Sequence, residues 1–229
     1  MGSVILLPDL LDLVLPRRCP GCDAAGRTIC ASCAHVLDGS VLGSVRPDPC
    51  PPGLPQLTAA AAYDGVVRRL LLAHKEQGRL GLTASLGALL AGAVAALGLP
   101  SPLVLTPVPS TPAAVRARGH DHSWRLACAA AARLGPQVEA ARLLVPARRL
   151  ADQSGLDSAA RAANLHGALH CVGVPVGMPV VVVDDVVTTG ATLVEATRAL
   201  AAGGAHVRGC AVVAATQRRH RGARAPATV

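Results

Sequence analysis

Two adjacent aspartates, Asp184 and Asp185, follow the β-branched run Val180-Val181-Val182-Val183 and precede Val186-Val187-Thr188-Thr189-Gly190-Ala191-Thr192. Neighbouring carboxylates accept hydrogen bonds from the two hydroxyls of a vicinal diol, or stand behind a hydrated Mg²⁺, which takes one or two carboxylates alongside substrate phosphates. Thr188, Thr189 and Thr192 add hydroxyl donors. Gly190 tolerates positive φ and lets the main chain approach a phosphate closely. Diol, metal and phosphate together describe a ribose 5-phosphate. The segment is neither a Walker loop, because no lysine follows the glycine, nor a dinucleotide fingerprint, because the three glycines are missing.

A second group of reactive residues lies near the start of the chain. Cys19-Pro20-Gly21-Cys22 and Cys30-Ala31-Ser32-Cys33 are two Cys-x-x-Cys knuckles seven residues apart. Four thiolates so spaced suit a closed, tetrahedral structural Zn²⁺ site, with Pro20 and Gly21 as turn residues. Cys50 has no partner cysteine nearby and reads as unpaired. Cys128, Cys171 and Cys210 lie in apolar surroundings and read as small core residues.

Elements must position these groups. The run Val180–Val183, bounded by Met178-Pro179, reads as a buried strand ending at the acidic pair, and Ala191 to Ala202 has helical period. In open α/β sheets, ligands gather beyond the carboxyl ends of strands, where a starting helix offers unpaired N–H groups to an anion. Upstream, Thr58 to Tyr63 reads as a strand, with Asp64 capping a helix Val66–His74 that leads to Lys75. A further helix is expected near Leu82–Leu97. Leu103 to Pro109 reads as a strand breaking into a rigid turn, and His122–Leu134 as a helix. The segment Ser110–His120 is another strand-to-helix transition, and its Arg116 and Arg118 are candidate pyrophosphate contacts, with a solvated face as the alternative. A short strand is expected near Leu143–Val145 and a last strand at His206–Ala214, completing a core of four or five strands. Arg148 to Leu156 has the polarity and breakers of a lid, and Asp157 to Leu169 is expected to be helical. A lid has a purpose here, since water must be kept from an oxocarbenium-like centre.

The boundaries expected are an N-terminal helix and zinc-binding module with a Pro-rich linker over 1–56, a larger domain over 57–216 and a basic, disordered tail over 217–229. Leu6, Leu7, Leu10, Leu11 and Leu15 lie near helical spacing. The stretch Val4–Leu15 has no basic flank, is interrupted by Pro8, Asp9 and Asp12, and is too short to span a bilayer, so a cytoplasmic protein without a transmembrane segment is expected. With no Phe, one Trp and one Tyr, the core must be built from Ala, Val and Leu. The formal charge is +8 and Lys75 is the only lysine. That balance favours polyanionic ligands, although Arg218, Arg219, Arg221 and Arg224 of the tail carry part of it.

The loop Asp184 to Thr192 resembles the phosphoribosyl-pyrophosphate (PRPP) motif of type I phosphoribosyltransferases. The resemblance implies that Asp184 and Asp185 contact the ribose hydroxyls and that Thr188, Thr189, Gly190, Ala191 and Thr192 wrap the 5-phosphate. Further blocks extend the likeness: Leu13-Val14-Leu15-Pro16 before the knuckles, Tyr63-Asp64-Gly65 with the helix to Lys75, Val108-Pro109 with Arg118-Gly119, and Gln153, Arg161 and Asn164. In this order they resemble the ComF family of phosphoribosyltransferase-like proteins, associated with DNA uptake during bacterial competence. The resemblance implies an α/β fold with a type I phosphoribosyltransferase-like core, a mostly parallel sheet flanked by helices, and a small N-terminal Cys₄ zinc module. It implies Zn²⁺ as structural metal, Mg²⁺ with PRPP, and PRPP contacts from Lys75, Arg116 and Arg118. Single-stranded DNA and competence-machinery proteins are the implied partners.

Two departures bear on function. Family members commonly carry Arg-Gly-Phe-Asn-Gln where this chain has Arg118-Gly119-His120-Asp121-His122, and the i,i+2 histidines do not share a helix face as metal ligands would. Salvage enzymes often carry an aspartate three positions after the acidic pair, where this chain has Thr188, a poor base at neutral pH. Three readings follow: a Mg²⁺-dependent phosphoribosyltransferase of unknown acceptor, a non-catalytic nucleic-acid-binding module, and a PRPP-sensing regulator. The scarcity of aromatic residues argues against base stacking in the second.

Overall fold

The computed structural model describes residues 18–25, 28–38, 40, 42–147, 165–174 and 177–216. The expected N-terminal helix and basic tail lie outside them, as do the lid Arg148–Leu156 and most of the helix expected after it. In chain order the elements are α1 (Ala31–Asp38), β1 (Gly43–Ser44), β2 (Leu57–Ala62), α2 (Gly65–Glu76), α3 (Thr83–Ala95), β3 (Leu103–Pro107), α4 (Pro112–Arg118), α5 (His122–Leu134), β4 (Val138–Ala140), β5 (Leu144–Pro146), β6 (Leu169–Cys171), β7 (Val180–Val187), α6 (Ala191–Ala202) and β8 (Val207–Ala215).

The strands form a six-stranded sheet in the order β1-β2-β8-β7-β3-β4 and a separate β5-β6 ribbon. Within the sheet β1 pairs antiparallel with β2 and the remaining pairs are parallel. This exceeds the expected four or five strands, because β1 and β4 are too short to show an alternation in sequence. Leu169, expected to close a helix, instead opens β6.

Parallel strands covered on both faces need continuous apolar runs, and β7 supplies one with Val180, Val181, Val182 and Val183 all buried. Alternate residues feed two cores. Val181 and Val183 join α2, α3 and α5 on one face, whereas Val180 and Val182 join α6 and the ribbon on the other. With almost no aromatics, helices approach closely: a Cβ built on Gly87 of α3 would run into Ala129 of α5.

Lengths and registers shape the site. β2, β8 and β7 end level, with Ala62 and Val187 both opposite Ala215. β3 stops at Pro107 opposite Val183, so β7 runs four residues further. The chain leaves β3 toward β4 on one side and leaves β7 toward β8 on the other. That reversal of direction opens a crevice at the strands' carboxyl ends, the usual ligand position in such sheets.

Candidate functional site

Asp184 and Asp185 lie in the overhang of β7 beyond the end of β3, inside the strand rather than after it. Asp185 is buried and gathers its partners from distant parts of the chain. Lys75, in the last turn of α2, donates to Asp185 Oδ2 at 2.8 Å. His122, the first residue of α5, brings Nε2 to 3.4 Å from the same oxygen. The Val186 N–H donates to Asp185 Oδ1 and the Asp185 N–H to Asp184 Oδ1, each at 2.8 Å.

These contacts divide the electrostatics of the pair. Burial alone would raise Asp185, but the hydrogen bond from His122 and the charge of Lys75 outweigh it and hold the carboxyl well below the usual range. Asp184 moves the other way, raised by burial and by the negative charge of Asp185. For Lys75, burial would lower the pKa, but the charges of Asp185 and Asp184 outweigh it and the net shift is upward. Asp185 is thus a fixed anion clamped by Lys75, and Asp184 is the more readily protonated member.

The loop after β7 matches its sequence expectation. Gly190 takes φ +77°, and α6 begins at Ala191. The Ala191 N–H donates to Thr189 Oγ1 at 3.4 Å, while Thr188 is exposed. The twelve-residue helix directs its first-turn N–H groups and the positive end of its dipole at this loop. A cavity of about 290 Å³ opens against Asp185, with Tyr63, Lys75, Glu76 and Thr188 in its wall. The Pro-rich stretch also takes part: Pro47, Pro51 and Leu54 each come within 3.3 Å of a Cβ built on Gly190.

The second candidate cluster, after β3, is only partly drawn in. Thr111 caps α4 by accepting from the Ala114 N–H at 3.2 Å, with Pro112 opening the helix. Arg118 makes a two-pronged ion pair with Glu76 at 3.1 Å, which sets it beside Lys75 and ties α4 to α2. Arg116 is exposed and makes no hydrogen bond or ion pair with a described residue.

His122 is the site residue that sequence reasoning missed. The i,i+2 spacing separates the two histidines, but His122 and Asp185 are far apart in the chain and meet only where the start of α5 packs against β7. His120 points elsewhere, its ring nitrogens lying 2.9 Å from the Arg118 carbonyl and 3.1 Å from that of His74. Burial, with the charges of His120 and His122, pushes His74 down to about 4.

The four cysteines of the two knuckles converge as expected, with all four sulfurs within 4.8 Å of one another. Sulfurs around one tetrahedral Zn²⁺ with bonds of ~2.3 Å lie about 3.8 Å apart, so the donor set fits that ion. Burial would raise the Cys19 thiol, but backbone N–H donation, chiefly from Cys30 and Gly21, outweighs it and brings the thiol down to about 6. Arg69 anchors the knuckle to α2 by donating to the Gly21 carbonyl at 2.6 Å. Of the cysteines expected in the core, Cys210 is fully buried, whereas Cys128 and Cys171 are partly exposed.

Part of the chain is similar to a known family. The phosphoribosyl transferase domain model matches residues 135–228, a span that begins before β4 and includes the acidic pair, its loop, α6 and β8. Lys75, His122 and the cysteine cluster lie outside that span. Comparison with curated proteins returns no match. No helix among the described residues is long and apolar enough to cross a membrane. The chain therefore has an α/β, phosphoribosyltransferase-like core with a mostly parallel sheet flanked by helices, carrying a Cys₄ cluster near its N-terminus.

Proposed function

We propose that the chain binds PRPP at the crevice between β3 and β7 and is a phosphoribosyltransferase-like protein of the ComF type, acting in the cytoplasm and linked to DNA uptake. The observation that carries this reading is the overhang of β7, which sets Asp184 and the clamped Asp185 beside the Thr188–Thr192 loop in the span similar to a phosphoribosyl transferase domain. Asp184 and Asp185 receive the ribose hydroxyls. Thr188, Thr189, Gly190, Ala191 and Thr192 receive the 5-phosphate, and Lys75 with Arg118 lends positive charge to the pyrophosphate side.

Mg²⁺, when bound with PRPP, would neutralise the pyrophosphate as it leaves C1. Asp184, which makes no ion pair with a described residue, would be the carboxylate to hold it. The chain's own contribution is positioning: Lys75 and His122 fix Asp185, and the loop fixes the phosphate, so that electrostatics and orientation supply the rate. In the second metal site, Cys19, Cys22, Cys30 and Cys33 hold Zn²⁺ as a structural cross-link.

Thr188 favours a second reading, a PRPP-sensing module that holds the ligand without turnover and couples it to single-stranded DNA or competence-machinery proteins. The hydroxyl is exposed and a poor base at neutral pH, and the position lacks the aspartate that assists a nucleobase. A pyrophosphate-release assay with PRPP, Mg²⁺ and a panel of bases and amines separates the two. Release that depends on one acceptor supports the transferase. Saturable PRPP binding with no release from any acceptor supports the sensor.

A further inference from the structure

A second cavity, of about 680 Å³, lies away from the acidic pair, between the start of α3 at Thr83 and the outer face of α5. Asp121, Arg125 and Cys128 reach it at helical spacing, and Trp124 and Arg142 complete its polar wall. Its size falls in the range of about 300–1,000 Å³ usual for small-molecule sites.

The side chains here are unusual for this chain. Trp124 is its only tryptophan, in a sequence with no phenylalanine, yet it lies in this wall and not in either core. The Arg142 guanidinium lies over the indole at 4.4 Å from the ring centre. Arg142 is also held from the side, donating to Asp121 Oδ2 at 2.8 Å. Asp121 in turn accepts from the Trp124 backbone N–H at 3.2 Å and from Ser110 Oγ at 3.3 Å. The guanidinium is thus held by the indole on one face and by the Asp121 carboxylate at its edge, and Arg142 remains about half exposed, leaving guanidinium surface open to solvent.

Capping of α5 accounts for Asp121, and cation–π stacking for Arg142, but neither accounts for Arg125. Its guanidinium makes no hydrogen bond or ion pair with a described residue, although it lines the same cavity. The cavity therefore offers a braced planar cation, on which a base can stack, beside a second cation that no described residue pairs, suited to a phosphate. We propose that it binds a nucleoside monophosphate, the base stacked on the guanidinium that Trp124 backs and the phosphate paired with Arg125. This site is separate from the PRPP crevice and does not depend on that assignment.

Because Trp124 is the only tryptophan, intrinsic tryptophan fluorescence of the full chain reports on this wall alone. Titration with AMP, excited at the red edge of tryptophan absorption, is expected to give a saturable change. Adenosine and inorganic phosphate should each bind at least about tenfold more weakly, since each lacks half of the contact. Arg125→Ala should weaken AMP roughly tenfold to a hundredfold, as for loss of one charge-assisted contact, and Arg142→Lys, which keeps the charge but not the plane, about tenfold. The pair Asp184→Asn with Asp185→Asn should leave AMP binding unchanged. The proposal is overturned by the absence of a saturable change, by phosphate binding as well as AMP, by response to a short oligonucleotide alone, or by unaltered affinity in Arg125→Ala. Loss of binding in the aspartate variant would overturn it too, by placing AMP in the crevice.

Discussion

Asp185 and Glu195 show how single carboxylates are held in an Ala/Val/Leu core. Asp185 is held by an ion pair with Lys75 at 2.8 Å and by the His122 imidazole at 3.4 Å. Glu195, buried in α6, accepts from the Leu169 N–H at 3.0 Å and pairs with Arg198 at 2.7 Å, tying the ribbon to the helix. Burial alone would raise Glu195, but the Arg198 hydrogen bond and the backbone donors outweigh it, so its folded pKa lies below the free value of 4.5. A depressed folded pKa gives stability that is fully present above the free value and is lost as pH falls through the folded one. Glu195→Gln is therefore expected to lower the unfolding free energy by about 1–3 kcal/mol at neutral pH. The gap to the unaltered chain should narrow below about pH 4.5, as urea titrations at several pH values would show. Contacts of this kind were not legible in the sequence. Asp184, Asp185 and the Thr/Gly loop announce themselves because they are neighbours in the chain, whereas Lys75 and Asp185 are 110 residues apart and meet only through strand order.

At the scale of elements, long apolar or strongly periodic segments were readable: α5 and α6 start and stop where spacing and caps place them, and β7 is the expected valine run. β1, β4 and the β5-β6 ribbon escaped or blurred because two- and three-residue strands take their conformation from neighbours. Tight helix packing is likewise a tertiary fact. Gly87 and Gly92 lie on the same helix, α3, and look equivalent in sequence. A Cβ at Gly87 meets Ala129, while one at Gly92 meets nothing within 4 Å. Gly87→Ala should destabilise by about 1–3 kcal/mol through overpacking. Gly92→Ala should instead stabilise by ~0.5–1 kcal/mol through helix propensity. Shifts of the urea midpoint in opposite directions would verify the pair.

For the molecule as a whole, the cysteine module and the sheet form one structure around the crevice. Arg69 holds the knuckle to α2, the helix that also delivers Lys75, and the Pro-rich stretch rests on the Gly190 loop. Elemental analysis should find one zinc per chain, and Cys22→Ser with Cys30→Ser should abolish it. Removing the metal with a chelator should lower the thermal midpoint and, through α2, weaken ligand binding at the crevice. PRPP binding at the overhang of β7 can be measured by isothermal calorimetry with PRPP and Mg²⁺. Saturable binding is expected for the unaltered chain and none for Asp184→Ala with Asp185→Ala, in a variant that retains its far-ultraviolet circular dichroism. Unchanged PRPP affinity in that folded double variant would contradict binding at the overhang.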